Sequence, residues 1–296
     1  MDLTAAAPSK TDALETLRKL VGKTCDLPPL PATALTVMRM TEDPWVSARD
    51  LQAVITRDQS LCARVLRIVN SPIYGLRSEI STVSHAVAIL GMDVLRTTVI
   101  AVTVQQMCGG SKVLGHDLTT RLLADHSWGA AVAARKVAAR VKYPSLEEAF
   151  LCGLMHDIGK IVLLRNFPAR YGEIISDAYR GAIASSRDAE QESFGFSHAH
   201  VGALLAERWG FPPQLWEAIS FHHDPLSAPT HCRLAAITSL ANGLMALLEL
   251  GFHRNPQLDV AGLPAVGVLN LDGAAIEELV AELRAANLRE SSPLSR

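Results

Sequence analysis

The stretch Phe150–Leu164, FLCGLMHDIGKIVLL, is the most informative part of the chain, because it places an adjacent histidine and aspartate, His156 and Asp157, in a largely apolar run. The spacing of its apolar residues predicts a buried helix. The preceding Ser145-Leu-Glu-Glu148 has the pattern of a capping box, which opens that helix. Imidazole and carboxylate groups are costly to bury without a partner. The stretch therefore predicts a helix that carries metal ligands.

More histidines of the same kind occur in or beside segments with helical patterns, namely His126, His198, His200, His222 and His223. Together with a carboxylate, imidazoles suit zinc, iron or manganese. His198 and His200 are two positions apart, so a helix turns them roughly 200° from each other and at most one should point inward. An alternative stays open, in which His156 and Asp157 satisfy only each other.

Lys160 follows His156 by about one helical turn. An ammonium group there could bind a phosphate, which makes Lys160 the candidate catalytic residue. Without a demonstrated active site, the sequence favours an ordinary solvated lysine at a helix surface.

The composition describes a globular protein of 296 residues with a net charge of −2 and 49% hydrophobic residues. Lys and Arg do not cluster, so direct nucleic-acid binding is not expected. The cysteines are odd in number, at 5, and none forms a C-x-x-C pair, which favours a reducing compartment and a cytoplasmic location. The sequence has no signal-peptide pattern and no apolar run of about 20 residues, so no membrane span is expected.

Apolar spacing predicts helices along the whole chain. The β-branched run Thr97–Val104 continues a helical pattern and is interpreted as buried helix, and Leu122–Arg140 is an alanine-rich helix. The clearest break is Gly109-Gly110-Ser111 with Gly115, which we expect to link two lobes. Pro212-Pro213 should start a helix that runs through His222-His223, and Asp272 should cap a last helix over 274–286.

Several blocks of this sequence, taken in order, resemble the HDOD family, a relative of the HD and HD-GYP phosphohydrolases. In the first half they are Leu27–Pro31, Asp58–Leu61, Leu66–Gly75 and Ala86–Gly91, and in the second half Gly153–Gly159, Phe194–Gly202, Trp209–Pro212 and Ala218–Pro225. The resemblance implies an all-α fold, with an N-terminal helical subdomain packed on an HD-like helical core. It divides the chain into a tail and first helix (1–23), an HDOD domain (24–285, with lobes 24–108 and 119–285) and a C-terminal tail (286–296).

The resemblance also implies which residues hold metal. The metal positions of the HD pattern fall on His126, His156, Asp157, His198, His222, His223 and, in place of the last aspartate, Asn242. In two-metal relatives Asp157 would bridge an ion at His126 and His156 and a second ion at the other three histidines. Because Asn242 is uncharged, the first position should bind metal more weakly, and one ion per chain is expected rather than two. Iron is the favoured ion, with manganese or zinc as alternatives.

Members of the HDOD family generally act as non-catalytic modules in bacterial signal transduction. Asp224-Pro225-Leu226 lacks the Gly-Tyr-Pro element of the cyclic-di-GMP phosphodiesterases. The leading hypothesis is therefore a cytoplasmic bacterial signalling protein that binds protein partners and retains a metal. The rival is a metal-dependent phosphohydrolase acting on a nucleotide or phosphate ester, with Lys160 or Arg165 steadying the phosphate. A third possibility is a helical adaptor without metal.

Overall fold

The computed structural model describes residues 30–41, 43–109, 117–286 and 288. Every regular element within these ranges is a helix, as the all-α prediction requires. The predicted first helix before residue 24, the glycine-rich break at 110–115 and the two tails lie outside the described residues, apart from Ala286 and Leu288.

From residue 30 onward, the described part of the first lobe contains five helices, which we number in chain order: α1 (Ala32–Met40), α2 (Ala48–Ile55), α3 (Gln59–Val69), α4 (Val83–Leu90) and α5 (Met92–Gly109). Ser47 caps α2 in a reciprocal capping box with Asp50, as the sequence predicted. A short 3-10 helix, Pro72–Tyr74, follows α3. The β-branched run Thr97–Val104 lies in α5 and is confirmed as buried helix.

The second lobe contains the remaining described helices and a 3-10 helix, Pro225–Ser227. In order they are α6 (Asp117–Arg140), α7 (Leu146–Met155), α8 (Ile158–Asn166), α9 (Pro168–Tyr179), α10 (Ser186–Phe194), α11 (His198–Arg208), α12 (Pro213–Phe221), α13 (Cys232–Leu247), α14 (Pro264–Leu269) and α15 (Gly273–Ala285). Asp272 caps α15 by accepting from the amide of Ala275, as predicted.

Packing places the junction between α7 and α8 at the centre of the second lobe. Helix α6 packs along α7 and α13, while α11 packs against α8 and α12. Helix α5 contacts α3 in its own lobe and α7 in the other. Buried residues of both lobes belong to a shared hydrophobic core that extends from Leu30 to Leu288. The lobe boundary near residue 108 stays a prediction.

The helix predicted to carry His156 and Asp157 is in fact two helices. Helix α7 ends at Met155, His156 is its C-cap, and Asp157 is the N-cap of α8. Gly159 allows α8 to lie close to α11, because a Cβ there would collide with the backbone of His198.

The capping box predicted before α7 is only half formed. Ser145 accepts from the amide of Glu148, while the Glu148 carboxylate accepts from Gln214.

The helix before the second histidine pair is shorter than predicted. Helix α12 ends at Phe221, so His222 is its C-cap and His223 lies beyond it. Among the described residues, no helix combines the length and apolarity needed to cross a membrane.

Candidate metal centre

Five histidines and one aspartate converge where these helices meet. They form two groups. The first is His126, His156 and Asp157, and the second is His198, His222 and His223. Within each group, the potential ligand atoms lie within 4.8 Å of one another. His126 comes from the middle of α6, His198 is the first residue of α11, and the other four lie just beyond helix ends. The structure thus brings together six of the seven metal positions expected from the sequence, and the seventh, Asn242, lines a pocket beside them.

Asp157 stands between the two groups and presents one oxygen to each. Its Oδ2 lies 3.3 Å from Nε2 of His126 and 3.4 Å from Nε2 of His156. Its Oδ1 lies 3.2 Å from Nε2 of His198 and 4.0 Å from Nε2 of His222. This carboxylate is therefore placed as a bridge between the two histidine groups.

The outward ring nitrogens fix the tautomers of three histidines. Nδ1 of His126 donates to the carbonyl of Leu250 at 2.9 Å, and Nδ1 of His156 to that of Gly153 at 2.8 Å. Nδ1 of His222 donates to the carbonyl of Ile219 at 2.7 Å. A carbonyl oxygen only accepts, so each Nδ1 carries the proton and each neutral ring presents a bare Nε2 inward.

Bare nitrogens facing one another at close range need a cation between or beside them. Nε2 of His126 lies 3.2 Å from Nε2 of His156, and Nε2 of His198 lies 3.4 Å from that of His222. The bare Nε2 atoms of His126 and His156 cannot hydrogen-bond to each other unless a proton is added, and Asp157 Oδ1 is buried without a hydrogen-bond partner among the described residues. A metal ion satisfies these lone pairs, so the residues present fit a metal.

Burial keeps most of these imidazoles in the form that binds metal. It lowers the pKa of His156 to about 4, against the opposing effect of Asp157. Burial likewise lowers the pKa of His222 and of His223 well below the usual value. The three rings are therefore neutral near pH 7, with their inward lone pairs available.

Glu190 supports the second group and was not predicted from the sequence. It is fully buried on α10, where its Oε2 accepts from the backbone amide of His198 at 2.7 Å and from Nδ1 of His198 at 2.6 Å. Its Oε1 accepts from the hydroxyl of Tyr171 at 2.8 Å. Burial disfavours a charged His198, but the Glu190 carboxylate outweighs burial and raises the pKa of His198. The carboxylate orients this ring and strengthens it as a ligand.

Lys160 is not the solvated lysine that the sequence favoured. Its side chain is buried, with Nζ 2.8 Å from Asp157 Oδ2 and 4.7 Å from the centre of the Phe252 ring. The break between α7 and α8 places it one turn into the second helix, directly beside the first histidine group. Here an ammonium neutralises the only acidic residue of the two groups.

A small pocket with a volume of about 260 Å³ opens beside both groups and is lined by His126, Asp157, His222 and His223 among others. Asn242 lines it with His126 and Lys160, so the predicted position of the missing aspartate does lie at this site. Arg187 and His253 line the same pocket and were not predicted. His200, as expected from its spacing, points away from the centre: it is exposed and accepts from the amide of Ser197.

An all-α fold with two histidine groups around one aspartate defines this chain as a helical protein whose clustered histidines and aspartate could hold a metal. The chain belongs to the HDOD domain family, which it matches over residues 27–225. That match spans both lobes and both histidine groups, and it confirms the resemblance.

Two solved structures are similar over nearly their whole length. An HDOD domain protein of unknown function from Geobacter sulfurreducens is 26% identical, with a TM-score of 0.78 over 94% of this chain and 98% of the other. A presumed phosphohydrolase from Shewanella amazonensis SB2B is 28% identical, with a TM-score of 0.73 over 94% of this chain and 96% of the other.

Two relatives among curated proteins are longer than this chain. An uncharacterised protein of Treponema pallidum (strain Nichols) is 26% identical over 244 residues, which is 81% of this chain and 46% of that protein. Ribonuclease Y of Mycoplasma genitalium is 30% identical over 128 residues, or 43% of this chain and 18% of the enzyme. The chain thus spans less than half the length of either relative.

Proposed function

We propose that this protein is a bacterial signal-transduction module that acts in the cytoplasm by binding protein partners, and that it holds one transition-metal ion as a structural or sensory element. The observation that carries the metal proposal is the convergence of bare Nε2 atoms on the carboxylate of Asp157. His198, His222, His223 and Asp157 would hold the ion. Imidazole with one carboxylate suits iron, manganese or zinc, with iron favoured.

Two features of the first histidine group favour one ion over two. Lys160 places a positive charge 2.8 Å from Asp157 Oδ2, on the side that faces His126 and His156. Asn242 supplies an uncharged amide where a carboxylate would offset a second dication. Repulsion from the ammonium and the missing negative charge both weaken binding at this position.

The proposed partner-binding role is supported by the family and by two features of hydrolytic relatives that this chain lacks, a second carboxylate and the Gly-Tyr-Pro element. Asp157 is the one carboxylate within the two histidine groups. The second histidine pair leads into Asp224-Pro225-Leu226 instead of Gly-Tyr-Pro. These differences from hydrolytic relatives favour a regulatory module that has kept a metal for its structure or its response.

A phosphohydrolase is the second candidate, and the pocket beside the two histidine groups favours it. Lys160 and Arg187 line this pocket of about 260 Å³ and would bind a phosphate group. The volume suits a small phosphate ester better than a cyclic dinucleotide. A bound ion would lower the pKa of a coordinated water and so supply a nucleophile. The similarity to the presumed phosphohydrolase of Shewanella amazonensis supports this candidate.

Elemental analysis of protein purified without chelator separates the candidates. We expect about one ion per chain, lost in His222→Ala and retained in His200→Ala, and no turnover of bis(4-nitrophenyl) phosphate. Two ions with turnover that depends on Lys160 would favour the phosphohydrolase. Absence of metal, even after reconstitution with Fe(II), Mn(II) or Zn(II), would contradict both and leave a metal-free adaptor.

A further inference from the structure

A second, larger cavity lies away from the candidate metal centre. It has a volume of about 650 Å³ and lies between α6, α15 with the segment that follows it, and the 3-10 helix after α3. Its lining residues include Trp128, Val132, Leu279 and Leu288 as apolar members. None of its lining residues belongs to the metal pocket. Sites for small molecules typically occupy about 300–1,000 Å³, so this cavity is large enough for one.

Two residues that line this cavity have unsatisfied polar atoms. Ser71 Oγ and Trp128 Nε1 are buried without a hydrogen-bond partner among the described residues. A buried polar atom without a partner costs about 1–3 kcal/mol, so such atoms in a native protein require an explanation. A ligand or ordered water in the cavity would supply the missing partners.

The charged residues of the lining favour an anionic ligand. They are three cations and one acid: Arg135, Lys136, Arg140 and Glu282. Glu282 accepts from Lys136 Nζ at 2.6 Å and from Arg140 at 3.0 Å. Two acids outside the lining pair with the arginines: Glu278 accepts from Arg140, and Glu147 accepts from Arg135 at 3.1 Å. Lys136 thus has Glu282 as its acidic partner, and displacement of Glu282 would free it. The Glu282 side chain is 43% exposed, so this carboxylate can leave the two cations without losing a buried position. It occupies the place that the anionic group of a ligand would take.

We propose that this cavity is a binding site for a small amphipathic anion, a molecule with an apolar body and one carboxylate, sulfonate or phosphate group. The body would lie against Trp128 and Leu279, and the anionic group would replace Glu282 beside Lys136 and Arg140. Ser71 belongs to the first lobe and Trp128 to the second, so the ligand would touch both lobes. This site does not depend on the metal proposed above.

A pair of matched probes tests the requirement for a negative charge. The probe 8-anilinonaphthalene-1-sulfonate carries a sulfonate, and N-phenyl-1-naphthylamine has the same apolar body without it. Titration of the 296-residue chain, followed by probe fluorescence, should show one saturable site per chain. We expect the sulfonate probe to bind at least fivefold more tightly than the uncharged probe, and decanoate to displace it.

Substitutions of the rim test the site itself. Glu282→Gln removes the competing carboxylate and should tighten sulfonate binding at least threefold, whereas Lys136→Gln should weaken it at least threefold. Glu277→Gln is the matched control, because Glu277 is an exposed acid on the same helix outside this cavity. His200→Ala, at an exposed residue outside the cavity, should leave probe affinity unchanged. Arg140→Gln replaces Lys136→Gln if circular dichroism shows that the latter is unfolded.

Three results would each overturn the proposal. The first is no saturable binding of the sulfonate probe. The second is equal affinity for both probes, which would show an apolar cavity without anion recognition. The third is an unchanged affinity in Glu282→Gln and in a folded cation variant, which would place the probe elsewhere.

Discussion

At the scale of single residues, the ligand strength of each histidine depends on the atom that its outer nitrogen contacts. Three of the rings donate to main-chain carbonyls, which set orientation without adding charge. His198 alone donates to a carboxylate, that of Glu190. A carboxylate partner of this kind raises the basicity of the imidazole, which makes it a stronger metal ligand, and fixes the orientation of the ring. The second histidine group should therefore bind metal more tightly than the first.

Glu190→Gln tests this role of the carboxylate. The amide keeps the size of the side chain but removes the negative charge that orients His198, so we expect metal affinity to fall about 10–100-fold. Competition with a coloured chelator measures that affinity. Glu192→Gln is the matched control, since Glu192 is an exposed acid on the same helix. Equal affinities in the two variants would show that Glu190 serves only to pack Tyr171.

Gly251 provides a second prediction at this scale. Its φ of +106° suits glycine, and a Cβ there would lie 2.9 Å from Nδ1 of His126. Gly251→Ala should destabilise the fold by about 1–3 kcal/mol through backbone strain alone, with a further cost from the displaced imidazole. Chemical denaturation measures this. In Gly267→Ala, an exposed helical glycine with open space around its Cβ position, stability should be unchanged or slightly higher.

Residue type and order predicted which side chains cluster in the candidate metal centre, but not the residues that support them. Histidines and one aspartate in an apolar context are uncommon enough to be recognised, and the structure gathers all six. Glu190 lies in the polar helix SRDAEQESF, where nothing distinguishes it from its exposed neighbours. The burial of Lys160 was missed because it depends on the turn between α7 and α8 and on Phe252, which is distant in sequence.

At the scale of helices, the metal centre is built mainly from helix ends. His156, Asp157, His222 and His223 all lie at or just past a terminus, where side chains project along the helix axis. Periodicity predicted helices here, but it extended two of them, α7 and α12, past the residues at which they end. Helical patterns continue across such breaks, because the residues on both sides are equally apolar.

The crossing of α6 and α7 yields a prediction for this scale. Gly153 on α7 faces the backbone of Ala130 on α6, and a Cβ would collide with that carbonyl. Gly153→Ala should therefore cost about 1–3 kcal/mol or more, because backbone cannot move aside cheaply. At Gly129, also on α6, the nearest obstacle is the flexible side chain of Met245. Gly129→Ala should therefore lower the free energy of unfolding by less than Gly153→Ala does. Denaturant titration of both variants measures the two losses. A loss in Gly129→Ala equal to or larger than that in Gly153→Ala would show that the crossing is loosely packed.

At the scale of the whole molecule, one hydrophobic core joins elements of both lobes. Composition and periodicity were enough to predict an all-α globular protein, since each helix needs only a face to bury. The way the helices assemble depends on contacts between residues far apart in sequence, such as Gly159 against His198. The metal centre lies at the meeting point of those contacts, where helices α6, α7, α8, α11 and α12 converge.

Removal of the metal should therefore weaken the entire second lobe. An ion that binds the folded chain stabilises it by about 2.7 kcal/mol when its free concentration is 100 times Kd. For a chain of this size, the expected rise in Tm is several degrees. Differential scanning calorimetry of metal-loaded and chelator-treated protein measures the shift. His222→Ala should show no metal-dependent shift, whereas His200→Ala should keep it, because His200 is exposed outside the centre. An unchanged Tm in wild-type protein, after elemental analysis has shown complete removal of the ion, would mean that the histidine groups are preformed by packing and that the metal adds nothing to the fold.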